Sequence, residues 1–236
     1  LTYFSILVII NSFNLIDGVD GLAGSLGMMA TMLFGFYFLQ ANMIPYAIFA
    51  FTVASSLFAF LIFNFQPAKV FMGDTGSMLI GLVNAVLVIK FLNVSSVSHP
   101  FFPIDAAPAL GFATLMLPLL DTLRVFGIRI IHRRSPFSPD RNHIHHLMLD
   151  KGLSHRAIAL VLPAGNLLIV GLTFWAAQLG STVLIVSMVI LFFSAIALLY
   201  YTRPRTRLFV EQIINGKAKI KQGVPLTTDS ILENKS

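Results

Sequence analysis

Two asparagines three positions apart are followed by two aspartates three apart in the segment Asn11-Ser12-Phe13-Asn14-Leu15-Ile16-Asp17-Gly18-Val19-Asp20-Gly21. At a helix end, residues three apart share a face, so Asn11, Asn14, Asp17 and Asp20 line one stripe, and Gly18 and Gly21 let a ligand or another backbone approach closely. The plainer reading is a polar turn in which an Asp caps the following helix. A second segment, Pro67-Ala68-Lys69-Val70-Phe71-Met72-Gly73-Asp74-Thr75-Gly76-Ser77, sets Asp74 between glycines just before an apolar run. Backbone amides at such a helix start are free to hold a phosphate or a metal-bound phosphate. Few carboxylates and other oxygen donors suit Mg²⁺, which keeps several waters and shares its shell with phosphate oxygens. A capping Asp-Thr-Gly turn is again the alternative.

A third segment, Ser138-Pro139-Asp140-Arg141-Asn142-His143-Ile144-His145-His146, gathers three of the six histidines. Zinc or iron is one reading of such a cluster. On a helix, however, His143 and His146 share a face and His145 points away, so one ion would not readily take all three. Arg141 beside them points instead to donors for a diphosphate. Asp121 and Arg124, three residues apart, read as an ion pair at a helix end. Arg129, Arg133 and Arg134 read as a basic juxtamembrane stretch facing anionic lipid. The other histidines, His99, His132 and His155, are scattered.

These segments must be positioned by elements that lie in lipid. The chain has 236 residues, 56% of them hydrophobic and only 11% charged, which describes an integral membrane protein and not a soluble globule. Apolar runs near the spanning length of about 20 residues extend over Leu22–Ala41, Tyr46–Phe63, Met78–Val94, Ala106–Phe126, Ile158–Gln178 and Val183–Tyr201. They lack the alternation of barrel strands, so the expected fold is all-α, a polytopic bundle of about six complete transmembrane helices. Leu1–Ile10 is too short to span and reads as the end of a truncated helix. Pro108 and Pro118 are expected to kink the fourth complete span, and Asn142–Leu153 is expected to hold a short helix. With no cysteine, disulfides and thiolate metal sites are excluded.

The net charge of +6 is unevenly spread: seven of the sixteen basic residues fall between Arg124 and Arg156, and seven more follow Tyr201. By the positive-inside rule both regions are cytoplasmic, which brings all three polar segments to the cytoplasmic face. The expected division is a multi-span membrane domain over 1–202 and a basic, polar cytoplasmic tail over 203–236. The basic balance is thus read as topology, with no nucleic-acid partner. A transporter reading would need acids near mid-membrane, whereas these acids cluster at helix ends.

At the three segments the sequence resembles the polyprenyl-phosphate N-acetylhexosamine-1-phosphate transferases (glycosyltransferase 4 type). NSFNLIDGVDGLAG and PAKVFMGDTGSMLIG resemble two signatures of that family. DRNHIHHLM is similar to the His-x-His-His loop of the branch that transfers N-acetylglucosamine-1-phosphate to undecaprenyl phosphate. The resemblance implies an enzyme of the bacterial inner membrane that transfers a sugar-1-phosphate from a UDP-sugar to undecaprenyl phosphate and releases UMP, with Mg²⁺ as cofactor and Mn²⁺ as an alternative ion. It implies Asp74 as metal ligand with Asn14, Asp17 and Asp20 alongside Asp74 as catalytic residues, and Asn11, Asn14, Phe71, Gly73, Asp121, Arg141, His143, His145 and His146 as substrate-binding residues. A homodimer is compatible with it. The family's adjacent acidic pair has no counterpart in these residues and would precede Leu1, so the 236-residue chain alone is expected to be inactive.

Overall fold

The computed structural model describes residues 2–95, 106–133 and 143–202. Arg141, Arg134, His99 and the tail expected over 203–236 lie outside the described residues. The fold is all-helical: α1 (Thr2–Ile16), α2 (Leu22–Gln40), α3 (Ile44–Asn64), α4 (Gly73–Ser95), α5 (Ala107–Ile131), α6 (Ile144–Asp150), α7 (His155–Trp175) and α8 (Ser181–Tyr201), with a 3-10 turn at Ala177–Leu179. Six of these, α2 to α5, α7 and α8, are long and apolar enough to cross a membrane, so the protein is a multi-pass membrane protein.

Their burial sorts the spans into inner and outer layers. Along the apolar stretch of α5, 78% of residues are buried, and along α2 67%, against 22% for α8. An apolar helix gains nothing by hiding Leu from lipid, so lipid-facing spans can be apolar all round, while inner spans need small residues that let backbones approach. Accordingly α2 begins Leu-Ala-Gly-Ser-Leu-Gly and is buried without a break from Leu22 to Gly27, whereas α3, α7 and α8 turn large side chains such as Phe58, Leu168 and Ile190 outward.

Several polar donors inside the spans are spent on carbonyls within the bundle, because hydrocarbon offers no hydrogen-bond partner. Thr31 Oγ1 donates to Gly27 O at 2.9 Å and Thr114 Oγ1 to Leu110 O at 2.8 Å. Asn84 is fully buried and donates to Ile80 O at 2.9 Å. A different need is met at Pro118. It lies inside α5, and its missing N–H leaves the Thr114 carbonyl without its helical donor. Asn166 Nδ2, from α7, reaches that carbonyl at 3.2 Å and Ala113 O at 3.1 Å, so α7 fills the gap in α5 and the two helices are locked at the break. Pro108 differs from expectation: it stands in the first turn of α5, where a proline has no helical bond to break and causes no kink. Arg129 also departs from the lipid-facing reading, since it is buried, with its guanidinium 5.7 Å from the Phe126 ring centre. Near the opposite end of α4 from Asp74, Lys90 Nζ lies 4.8 Å over the Tyr46 ring.

The first helix is anchored by a direct backbone approach to α4. A Cβ at Gly81 on α4 would stand 2.7 Å from Ile10 Cα, a backbone atom that cannot swing aside. Only glycine permits α1 and α4 to touch there, and α1 carries Asn14 while α4 carries Asp74. Gly81→Val is expected to cost about 1–3 kcal/mol of stability through overpacking and to separate the two helices. Thermal unfolding in detergent should show a lowered Tm; an unchanged Tm would mean that the helices can part freely.

Candidate active site

The site is assembled from three chain segments at one end of the bundle. α1 stops at Ile16, so Asn11 and Asn14 stand on its last turns while Asp17 and Asp20 occupy the turn that leads to α2. The four side chains therefore do not share a helical stripe. Asn11 Nδ2 bonds back to Leu7 O at 2.7 Å, within its own helix. Nor does Asp20 cap α2: Gly21 holds the N-cap position at φ 82° with no side-chain cap, and Leu22 N donates to Val19 O at 3.0 Å. The left-handed backbone explains why glycine stands there.

Asn14 makes the link to the second segment. Its Nδ2 donates to Asp74 Oδ1 at 3.2 Å and to Ser77 Oγ at 3.1 Å, across sixty-odd residues of sequence. Asp74 lies in the first turn of α4, exposed, where the helix dipole favours an anion. Gly73 before it has φ 66° with open space around its Cα, and Phe71 is 75% exposed. Burial pushes the Asp17 carboxyl up to about 6, helped by the negative charges of Asp74 and Asp20. Three carboxylates thus face one another closely enough to repel. Among the described residues, no Lys or Arg forms an ion pair with any of them.

Asn64, which the sequence reading passed over, ties these two segments together. At 4% exposure it sits at the end of α3, its Oδ1 accepts from Gly21 N at 2.8 Å, and its Nδ2 donates to Val70 O at 2.8 Å. One side chain thereby spans from the acid turn to the loop before Asp74. The only sequence signal for it was a lone amide closing an otherwise apolar span.

The histidine segment is held from α5. Asp121 is 1% exposed; its Oδ1 accepts from Arg124 Nη2 at 2.8 Å and from Ile144 N at 3.0 Å, while its Oδ2 lies 2.9 Å from His143 Nδ1. A carboxylate acceptor there sets the tautomer, with Nδ1–H of His143 donating. His143 is the N-cap residue of α6 but caps nothing with its own side chain, and Asp121 serves the first N–H of that helix instead. Asp121 is thus more than half of an ion pair with Arg124, and it is buried behind His143 instead of standing open to a substrate.

His145 reverses its expected placement. Far from pointing away, it is 1% exposed, lies parallel to the His143 ring at 5.6 Å between centres and 2° between planes, and meets the His146 ring at 4.4 Å. The cause is that α6 begins only at Ile144, so His143 precedes the helical register. His145 Nε2 points at Gly18: a Cβ there would stand 2.2 Å from it. Burial, then the His146 and His143 rings, lower the His145 pKa to about 3, so it is a neutral imidazole against the acid turn. His155, set aside in sequence as scattered, lies at the same turn with Nδ1 3.4 Å from Asp20 Oδ2, an ion-pair distance without hydrogen-bond alignment.

Among the described residues, no group of three or more His, Asp or Glu side chains is arranged to enclose a metal ion, which tells against the zinc or iron reading of the histidines. The groups at Asp74 do fit Mg²⁺. They are hard oxygen donors, few in number, and the negative charges of Asp74 and Asp20, which add to the burial that raises Asp17, are what a divalent cation would offset.

A carboxyl whose folded-state pKa is about 6, against its usual 3.8, keeps its proton longer in the folded chain. Its contribution favours the fold fully below about pH 4 and is lost as pH rises through 6. In chelating buffer, Asp17→Asn should therefore raise Tm relative to wild type at pH 7 and leave little difference at pH 4. A difference that grew toward acid would contradict this sign.

Residues 1–92 match glycosyl transferase family 4. Over 173 residues the chain is 32% identical to an undecaprenyl-phosphate alpha-N-acetylglucosaminyl 1-phosphate transferase of Yersinia pestis, covering 71% of this chain and 46% of that protein. It is 36% identical over 174 residues to a decaprenyl-phosphate N-acetylglucosaminephosphotransferase of Mycobacterium leprae, with 69% and 44% covered. A probable undecaprenyl-phosphate N-acetylglucosaminyl 1-phosphate transferase of Bacillus subtilis is 34% identical over 166 residues, with 69% and 43% covered. The matched part of the chain thus spans a little under half the length of these relatives. The acid turn, the Asp74 loop and the segment between them all fall inside the residues matched, so the part of the chain that carries them is what resembles glycosyl transferase family 4.

Proposed function

We propose that this chain carries the donor side of a sugar-1-phosphate transfer, in which N-acetylglucosamine-1-phosphate passes from UDP-N-acetylglucosamine to undecaprenyl phosphate at the cytoplasmic face of the bacterial inner membrane. The observation that carries the reading is the convergence of Asp17, Asp20 and Asp74 with Asn14, opposed by neutral His145 at Gly18. The relatives' names support the sugar phosphate and the prenyl acceptor.

In the reaction, an oxygen of the lipid phosphate attacks the β-phosphorus of the UDP-sugar. The bond from that phosphorus to the oxygen bridging to the α-phosphorus breaks, UMP leaves with the electron pair, and a lipid diphosphate sugar remains. Transfer between phosphates demands in-line positioning and neutralised charge more than a strong base. Mg²⁺ held by Asp74 with Asn14 supplies that neutralisation when bound. Asp17 and Asp20 line the nucleotide side, where Gly18 keeps the turn thin. Phe71, exposed beside Asp74, offers a face for the uracil ring. His146 and Arg141 are donors for the diphosphate or the sugar, and His143, whose Nδ1–H is spent on the Asp121 carboxylate, leaves Nε2 as an acceptor for a sugar hydroxyl.

Because the acids lie at helix ends and meet across loops, the arrangement favours a surface reaction over ion passage through the bundle. In the intact protein, UMP release from UDP-N-acetylglucosamine with undecaprenyl phosphate and Mg²⁺ is expected. Asp74→Asn should lower kcat by about 100-fold or more, on the scale of losing a transition-state charge stabiliser. Near wild-type turnover by that variant would overturn the metal assignment, and a panel of UDP-sugars reads the donor preference directly.

A further inference from the structure

The first turn of α7 touches each of the segments that build the site. Ser154 caps it, accepting from Ala157 N at 3.2 Å, and so fixes the direction in which the next two residues leave the helix. His155 faces Asp20 Oδ2 at 3.4 Å. Arg156 extends the other way, its Nε–H donating to the carbonyl of Gln66 in the loop before Asp74. Ala159, buried one turn further on, lies against Gly21, whose Cβ would stand 3.3 Å from the Ala159 methyl. Only residues 151–154 separate this turn from α6, so the histidine segment is tethered to it as well. Asn64 joins the acid turn and the Pro67 loop from one side, and α7 joins the same two from the other.

We propose that His155 and Arg156 are positioning residues, which hold the Asp20 carboxylate and the Gln66 carbonyl respectively and so fix the acid turn and the Asp74 loop in one register. The inference rests on the transferase reading for its consequence, though not for its geometry. Magnitudes separate positioning from bulk stabilisation. Arg156 is exposed and the His155–Asp20 pair is about a quarter to a third exposed, so neither contact adds much to folding stability. A displacement of about 1 Å between reacting groups, by contrast, costs about 100-fold in rate. Removing either contact should therefore slow turnover while the fold persists.

The test uses the intact protein with His155→Ala, His155→Gln, Arg156→Ala and Arg156→Lys. Each alanine variant should lower kcat for UMP release by about 10- to 100-fold, with KM for the UDP-sugar within about twofold and Tm close to wild type. Arg156→Lys keeps a donor at similar reach and should recover most of the rate, whereas His155→Gln, which keeps a polar side chain but loses the ion-pair partner of Asp20, should recover little. A purely structural role would instead lower Tm and the active fraction, with no split between kcat and KM. Geometry can be read without activity, because this chain has no cysteine. Spin labels at Lys69→Cys and Leu160→Cys, with any cysteine elsewhere replaced by serine, should give a narrow distance distribution that broadens when Arg156→Ala is added. An unchanged distribution, or unchanged kcat in both alanine variants, would overturn the proposal. If wild type itself released no UMP, the transferase reading would fail, and the distance measurement would still decide whether Arg156 holds the loop.

Discussion

A single buried carboxylate, Asp121, organises the histidine wall of the site. An ion buried at 1% exposure in a helix bundle must be fully compensated, and here an arginine, an imidazole and a backbone amide share the task. Such a cluster contributes little net stability compared with apolar packing of the same volume. What it contributes is specificity of arrangement: its Oδ1 is the one acceptor that starts α6 at Ile144, and its Oδ2 fixes the face that His143 presents. Through the parallel stacking of His143 on His145, that choice is passed on to the contact with Gly18, on the opposite side of the site.

The opposite wall works by other means. Its three carboxylates repel, and the groups that position their segments are neutral amides, Asn14 on Asp74 and Asn64 acting through Gly21, with the unprotonated His145 ring lying against Gly18. Charge is therefore stored on one wall and matched on the other. A neutral His145 can lie against the acid turn without cancelling its negative potential, which a protonated imidazole would do. The result is an anionic corner bounded by imidazoles.

The spans were legible from hydropathy because each is a continuous apolar run close to the bilayer thickness; the helices begin and end within three residues of the expected bounds over α2 to α8, except at the start of α4 and at the end of α5. Those exceptions are where polar residues stay helical: Gly73 to Ser77 because Asp74 complements the helix start, and Gly127 to Ile131 because α5 runs on past the buried Asp121 and Arg124. The stripe proposed for Asn11 to Asp20 failed because the helix ends at Ile16, so the spacing that places Asn14 does not govern Asp17. Asn64, Gly81, His155 and Arg156 were not legible. Each acts on a partner far away in sequence, and a lone amide, glycine, histidine or arginine carries no local period that would announce it.

The membrane explains why the important contacts sit where they do. Polar groups within the spans are spent on closing backbone bonds, as Thr31, Thr114 and Asn166 do, because an open donor in hydrocarbon is costly. Charged side chains with unspent capacity are least costly at the helix ends, so a catalytic surface in such a bundle is best built from loops and first turns contributed by different spans. Helices then serve as rigid rods that deliver those ends. This accounts for Asn166 at the Pro118 break: by locking α7 to α5 deep in the bundle, it joins the rod that carries Asp121 to the rod that begins with His155 and Arg156. The histidine wall and the proposed clamp on the acid turn are therefore referred to one another through a contact in the membrane interior, well away from any substrate.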